Sequence, residues 1–139
     1  MKAVLDVINQ LQKVIEEQLE YKEDFSVVLD FPDEQKVKKS TTIFILPDGG
    51  ALDNLTTGSD VCYLDCSLYV ICKRKNSDTL MQNVFNCFEA LYKLLRGNSS
   101  LDGYVSDCTV LNFDYYPQTD IESQKAIEVQ MQIQWEKDF

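Results

Sequence analysis

The sequence predicts an α+β domain, a mostly antiparallel sheet of about five strands with two helices packed on one of its faces. Two segments repeat their apolar residues at the three-and-four interval of an amphipathic helix, and five carry the period-two or β-branched pattern of strands. Their order is α-β-β-β-α-β-β, and strands in two consecutive runs with one helix between them close most economically as antiparallel neighbours. At 139 residues, 45% hydrophobic and 26% charged, the chain has the size and composition of one ordered domain over 1–139.

The first helix is read from Val4, Val7, Ile8, Leu11, Ile15 and Leu19, with Asp6, Gln10, Gln12, Lys13, Glu16 and Glu17 on the opposite side. Residues 25–31 alternate Phe25, Val27, Leu29 and Phe31 against Ser26 and Asp30, a strand that Pro32-Asp33 ends. Residues 41–46 are β-branched and aromatic, and Pro47-Asp48-Gly49-Gly50 marks the stop of a second strand. From 47 to 60 the chain is Gly, Asp, Asn, Thr and Ser with little apolar content, and reads as a flexible loop that orders only against a partner.

Residues 61–72 form a long strand whose even positions, Cys62, Leu64, Cys66, Leu68, Val70 and Cys72, are wholly apolar and must face the core. Asn76-Ser77-Asp78 is an N-cap cluster for a helix built on Leu80, Val84, Cys87, Phe88, Leu91 and Leu95, which Gly97 stops. Residues 104–115 give a fourth strand, with Pro117 and Asp120 in the turn after it. In the last strand Ile127, Val129, Met131, Ile133 and Trp135 alternate strictly with Glu128, Gln130, Gln132, Gln134 and Glu136, so one face is wet and Trp135 is buried.

Several kinds of chemistry are disfavoured. The chain has no His, which removes Ser-His-Asp and Cys-His nucleophile systems and every His-containing zinc site. Cys62, Cys66 and Cys72 invite a thiolate metal site, but along a strand they lie about 13 Å and about 20 Å apart at about 3.3 Å per residue, too far to share one ion. They read as small core hydrophobes, and five cysteines without a repeating spacing read as reduced thiols. Asp48-Gly49-Gly50 lacks a phosphate-loop context, and Asp102, Asp107, Asp114, Asp120 and Glu122 lack calcium-loop spacing. No catalytic, cofactor-binding or metal-binding set is expected, so the chain is read as a non-enzyme.

Thirteen basic against twenty-three acidic residues leave a net charge of −10, which opposes binding to a phosphate backbone. Lys36, Lys38 and Lys39 with Lys73, Arg74 and Lys75 read as solvated loop ends. No apolar run approaches the roughly 18–20 residues of a membrane span, and a soluble, non-exported protein is expected. What remains is surface. Gln130, Gln132 and Gln134 form an uncharged outward row, and Tyr63, Tyr69, Tyr115 and Tyr116 are amphipathic groups of the kind that interfaces favour. With Asp48, Gly49 and Gly50 these are the candidate interface residues.

The whole pattern resembles the bacteriophage tail terminator family, also called tail completion or minor capsid proteins. The features that carry it are the helix through Leu19, the strand pair around 47–60, and the strand ending Leu68-Tyr69-Val70-Ile71-Cys72. The helix opened by Asn76-Ser77-Asp78 and the closing alternation to Trp135 complete it. The resemblance implies a virion component assembled in the bacterial host cytoplasm, hexameric in the virion and able to be monomeric in solution. The ring it forms ends the tail tube, and its partners are further copies of itself, the tail-tube protein and a head-completion or connector protein. DNA passes through without specific binding, no cofactor is implied, and no membrane is involved. A tail-tube or head-completion subunit remains open, as does a small-ligand or regulatory binding domain with a pocket between helices and sheet.

Overall fold

The computed structural model describes residues 3–37, 39–56, 58–73, 79–117 and 124–138. Two helices and five strands follow in the order α1 (Val4–Gln18), β1 (Phe25–Val28), β2 (Thr41–Thr56), β3 (Ser59–Lys73), α2 (Leu80–Gly97), β4 (Asp107–Tyr116) and β5 (Gln124–Asp138). The fold class is thus α+β as expected. The sheet runs β1-β2-β3-β5-β4, antiparallel except for the parallel pair of β1 and β2. Among the described residues no helix is long and apolar enough to cross a membrane.

Both helices lie on one face. Val7, Leu11, Val14 and Ile15 of α1 and Val84, Cys87, Phe88, Leu91 and Leu95 of α2 share one cluster with the even residues of β3 and the odd residues of β5. Cross-strand pairs explain why the parities agree, since Leu64 stands opposite Ile133, Leu68 opposite Val129 and Val70 opposite Ile127, and directly opposed residues share a face. Cys62, Cys66 and Cys72 point into this core, as the alternation required.

Three expectations differ. β1 ends at Val28 instead of 31 because the chain there leaves the sheet and crosses its other face, returning at Thr41 parallel to β1. Val37 on that crossover covers Phe44, Ile71 and Ala126 in a second small core, and Phe31 is left 71% exposed. Secondly, the expected loop at 47–60 is strand over 47–56 and 59–60. β2 runs on to Thr56 and pairs with β3 up to the Thr56–Ser59 rung, so the segment is the upper arm of a long hairpin. β3 is paired to β5 over its whole length from Ser59 to Lys73, and that ladder offers β2 a template that its own polar residues did not advertise. Asp48 is accommodated in a bulge between Pro47 and Gly49.

Thirdly, β4 begins at Asp107 and not at 104. The preceding turn holds Leu101 and Asp102 at φ 50 and 63 before Gly103, a left-handed run paid for by burying Leu101 completely. Asn98 caps α2 and donates its amide to Asp102 Oδ1 at 2.8 Å, while Gln18 of α1 donates to Asp102 Oδ2 at 2.9 Å. The cap cluster Asn76-Ser77-Asp78 and residues Lys38, Arg74, Lys75, Asp120 and Glu122 lie outside the described residues.

Candidate functional site

The strand register decides where each candidate residue falls. Gln130, Gln132 and Gln134 share the face away from the helices with Tyr63, Tyr69 and Tyr116. Successive rungs there read Tyr63–Gln134–Asp107, Asp65–Gln132–Thr109, Ser67–Gln130–Asn112 and Tyr69–Glu128–Asp114. Asp48 joins them from the bulge, accepting a hydrogen bond from Ser67 Oγ at 2.8 Å. Gly49 and Gly50 stand beside it at the base of the arm. Tyr115 goes elsewhere. Its ring lies 4.9 Å from that of Phe85 on α2, on the helix side, since neighbours in a strand point to opposite faces.

The open face is acidic. Asp48, Asp53, Asp65, Asp107, Asp114, Glu128 and Glu136 all fall on it by register or contact. Five of these carboxylates take hydrogen bonds from neutral donors: Ser67 to Asp48, Gln132 to Asp65 at 3.1 Å, Thr109 to Asp107 at 3.2 Å, Tyr116 to Glu128 at 2.9 Å and Ser59 to Glu136 at 3.0 Å. These donors are uncharged, so the hydrogen bonds leave the charge of the carboxylates uncancelled. Burial, with the hydrogen bond to Glu128, pushes the Tyr69 phenol up to about 12, so it stays a neutral donor.

The two sides of the sheet are unlike. β4 is the last strand on one side, with Leu111 and Phe113 exposed along it and the Phe113 ring tilted against Phe88 of α2 at 4.4 Å. On the other side β1 reaches only Phe44, and its edge is occupied, because Gln12 donates to Val27 O at 3.1 Å and Lys39 to Phe25 O at 3.4 Å. Above it the arm of β2 has no strand beyond it among the described residues.

Sequence reading missed the exposed groups on these edges. Leu52 was hidden in a supposed loop, and the faces of Asn112, Phe113 and Asp114 were hidden by the bulge between Val110 and Asn112, which reverses parity along β4. Tyr92, four residues from Phe88, could have been found from the helical period as the outer end of a stripe with Met81 and Phe85.

The five cysteines are free and buried. Burial pushes Cys66 and Cys108 up to about 12, and raises Cys72 and Cys87 for the same reason. A folded state that holds protons more tightly than the unfolded chain loses stability as they leave. Stability from these thiols and Tyr69 should therefore be full below pH 9, the ordinary thiol value, and fall as the pH rises towards 12. In agreement, an aromatic disulfide reagent at pH 8 should modify the folded protein slowly and all five thiols at once in denaturant. Rapid labelling of Cys66 or Cys108 without denaturant would refute the burial assigned to them.

No protein-family model and no curated protein sequence matches the chain.

Proposed function

We propose that the chain is a ring-forming subunit of the head–tail joint of a long-tailed bacteriophage, acting to end the tail tube. The observation that carries this reading is a sheet whose two sides are unlike, the β4 edge on one and the unpaired arm of β2 on the other, with an acidic face above the crossover. Unlike edges favour head-to-tail contacts, which close into rings when the rotation per subunit allows. In such a ring every copy presents the same face to the axis, and a lumen lined by Asp65, Asp107, Asp114 and Glu128 would repel phosphate and let DNA slide. The element order and the resemblance drawn from it support the same assignment. Leu11, Ile15, Leu68, Leu91 and Val129 fill the middle of the layer between helices and sheet, which leaves a ligand-binding reading only the cleft between the end of α2 and β4.

The test is electron microscopy of the purified protein, alone and with tail tubes built from the tube protein encoded beside it. Closed rings and tubes capped at one end are expected. Tubes made of this chain itself would make it a tube subunit, and tubes left uncapped with no rings formed would defeat the reading.

A further inference from the structure

The joint between subunits can be specified further. We propose that the arm of β2 docks on the β4 edge of a second copy of this chain, with Leu52 seated in the pocket between the C-terminal half of α2 and the start of β4. The proposal rests on the ring reading for its biological setting, but on separate observations for its geometry.

The first observation is Leu52 itself. It stands opposite Cys62, which stands opposite Trp135, so it belongs to the helix-side face, yet the side chain is 70% exposed while both neighbours on the rung are buried. Among the described residues nothing of its own chain covers this apolar knob. The second is the pocket. It has a volume of about 310 Å³ and is lined by Tyr92, Leu95 and Arg96 of α2, by Ser99 beyond it, and by the start of β4, where Cys108 and Val110 stand on the helix side and Asp107 and Thr109 complete the rim. Leu95, Cys108 and Val110 give it an apolar part on the helix side of the sheet, the side on which Leu52 stands.

Strand direction supplies the third observation. β2 is antiparallel to β3, β3 to β5 and β5 to β4, so β2 and β4 run in opposite directions at the two sides of one sheet. A second copy placed beside the first in the same orientation therefore brings its β2 antiparallel to the first copy's β4, the arrangement in which a sheet continues across an interface. In the rung order Leu52 lies one rung above the one that holds Asp107. Sliding the arm by two residues preserves every face and places Leu52 level with Cys108, over the pocket. Pro47, which has no N–H, and the bulge after it interrupt the lower edge, so residues 49–56 are the part left for pairing.

The test uses Leu52→Cys and Ser99→Cys, singly and together, in the full chain. Neither side chain is needed for the core, and the native thiols are buried. Mild oxidation is carried out at high ionic strength, where repulsion between acidic copies is screened. Mixing the two single variants should give a covalent heterodimer well above the homodimers of either, and the double variant should give a ladder of linked copies. Leu52→Asp should leave the melting temperature unchanged and abolish association. Homodimers as abundant as heterodimers, or no heterodimer at the highest attainable concentration, would overturn the contact. Electron microscopy separates this from the ring reading. Rings without the Leu52–Ser99 link mean that rings form by another edge, whereas linked open chains without rings mean that the contact is right and closure wrong.

Discussion

Replacing Trp135 with Ala should lower the stability of the fold by about 3–5 kcal/mol, the cost of removing a large buried aromatic and leaving a cavity. Trp135 is 2% exposed towards the end of β5, on the rung that carries Leu52 of the arm, and belongs to the cluster that α1 and α2 cover. The loss is a large share of the roughly 5–15 kcal/mol that holds a domain together, so the urea midpoint should drop sharply with little change in slope. Circular dichroism must report it, because Trp135 is the sole tryptophan. Trp135→Phe separates two contributions. The indole Nε1 is buried with no hydrogen-bond partner among the described residues, and an unpaired buried donor costs about 1–3 kcal/mol. Phe removes that donor while keeping most of the apolar volume, so Trp135→Phe should cost far less than Trp135→Ala. Equal losses would show that the N–H is satisfied in solution, and a loss under about 1 kcal/mol for Trp135→Ala would place the residue outside the core.

That position was legible from sequence because β5 alternates without a break and its central strand neighbour β3 does the same. Two strict period-two patterns fix both faces, and the burial of Cys62, Cys66, Cys72 and Trp135 follows. The Gln row with Tyr63 and Tyr69 came from the same parity. Legibility failed where pairing overrode composition. Residues 47–56 carry proline, two glycines and polar side chains, which locally favour a turn, yet a fully paired β3 recruits them as a strand. Parity also fails at a bulge, since one extra residue at Leu111 turns the remainder of β4 over. The crossover of 29–40 could not be read either, because what it covers, Phe44, Ile71 and Ala126, lies on a face expected to be wet.

Gly50→Ala should break the arm, and the same substitution at Gly97 should not. A Cβ built on Gly50 falls 1.9 Å from the carbonyl oxygen of Tyr63 and 3.3 Å from Leu64 Cα, so the obstacle is the backbone of β3 and no side-chain rotation relieves it. β2 must then move off β3 just above the bulge, at a cost of about 1–3 kcal/mol for overpacking, or more where a ladder separates. At Gly97, in the last turn of α2, an added Cβ meets nothing within 4 Å, and Ala there should be neutral or stabilise by up to about 1 kcal/mol. Opposite signs for one chemical change isolate the close approach of the strands as the cause. Hydrogen exchange locates it, because amides of 51–56 and of their partners in 59–63 should lose protection in Gly50→Ala while those of α2 keep theirs. The substitution also displaces Leu52 from its rung, so it should weaken self-association more than its effect on folding accounts for. A Gly50→Ala protein as stable as the parent, with the arm still protected, would mean that β2 and β3 do not approach closely at this rung.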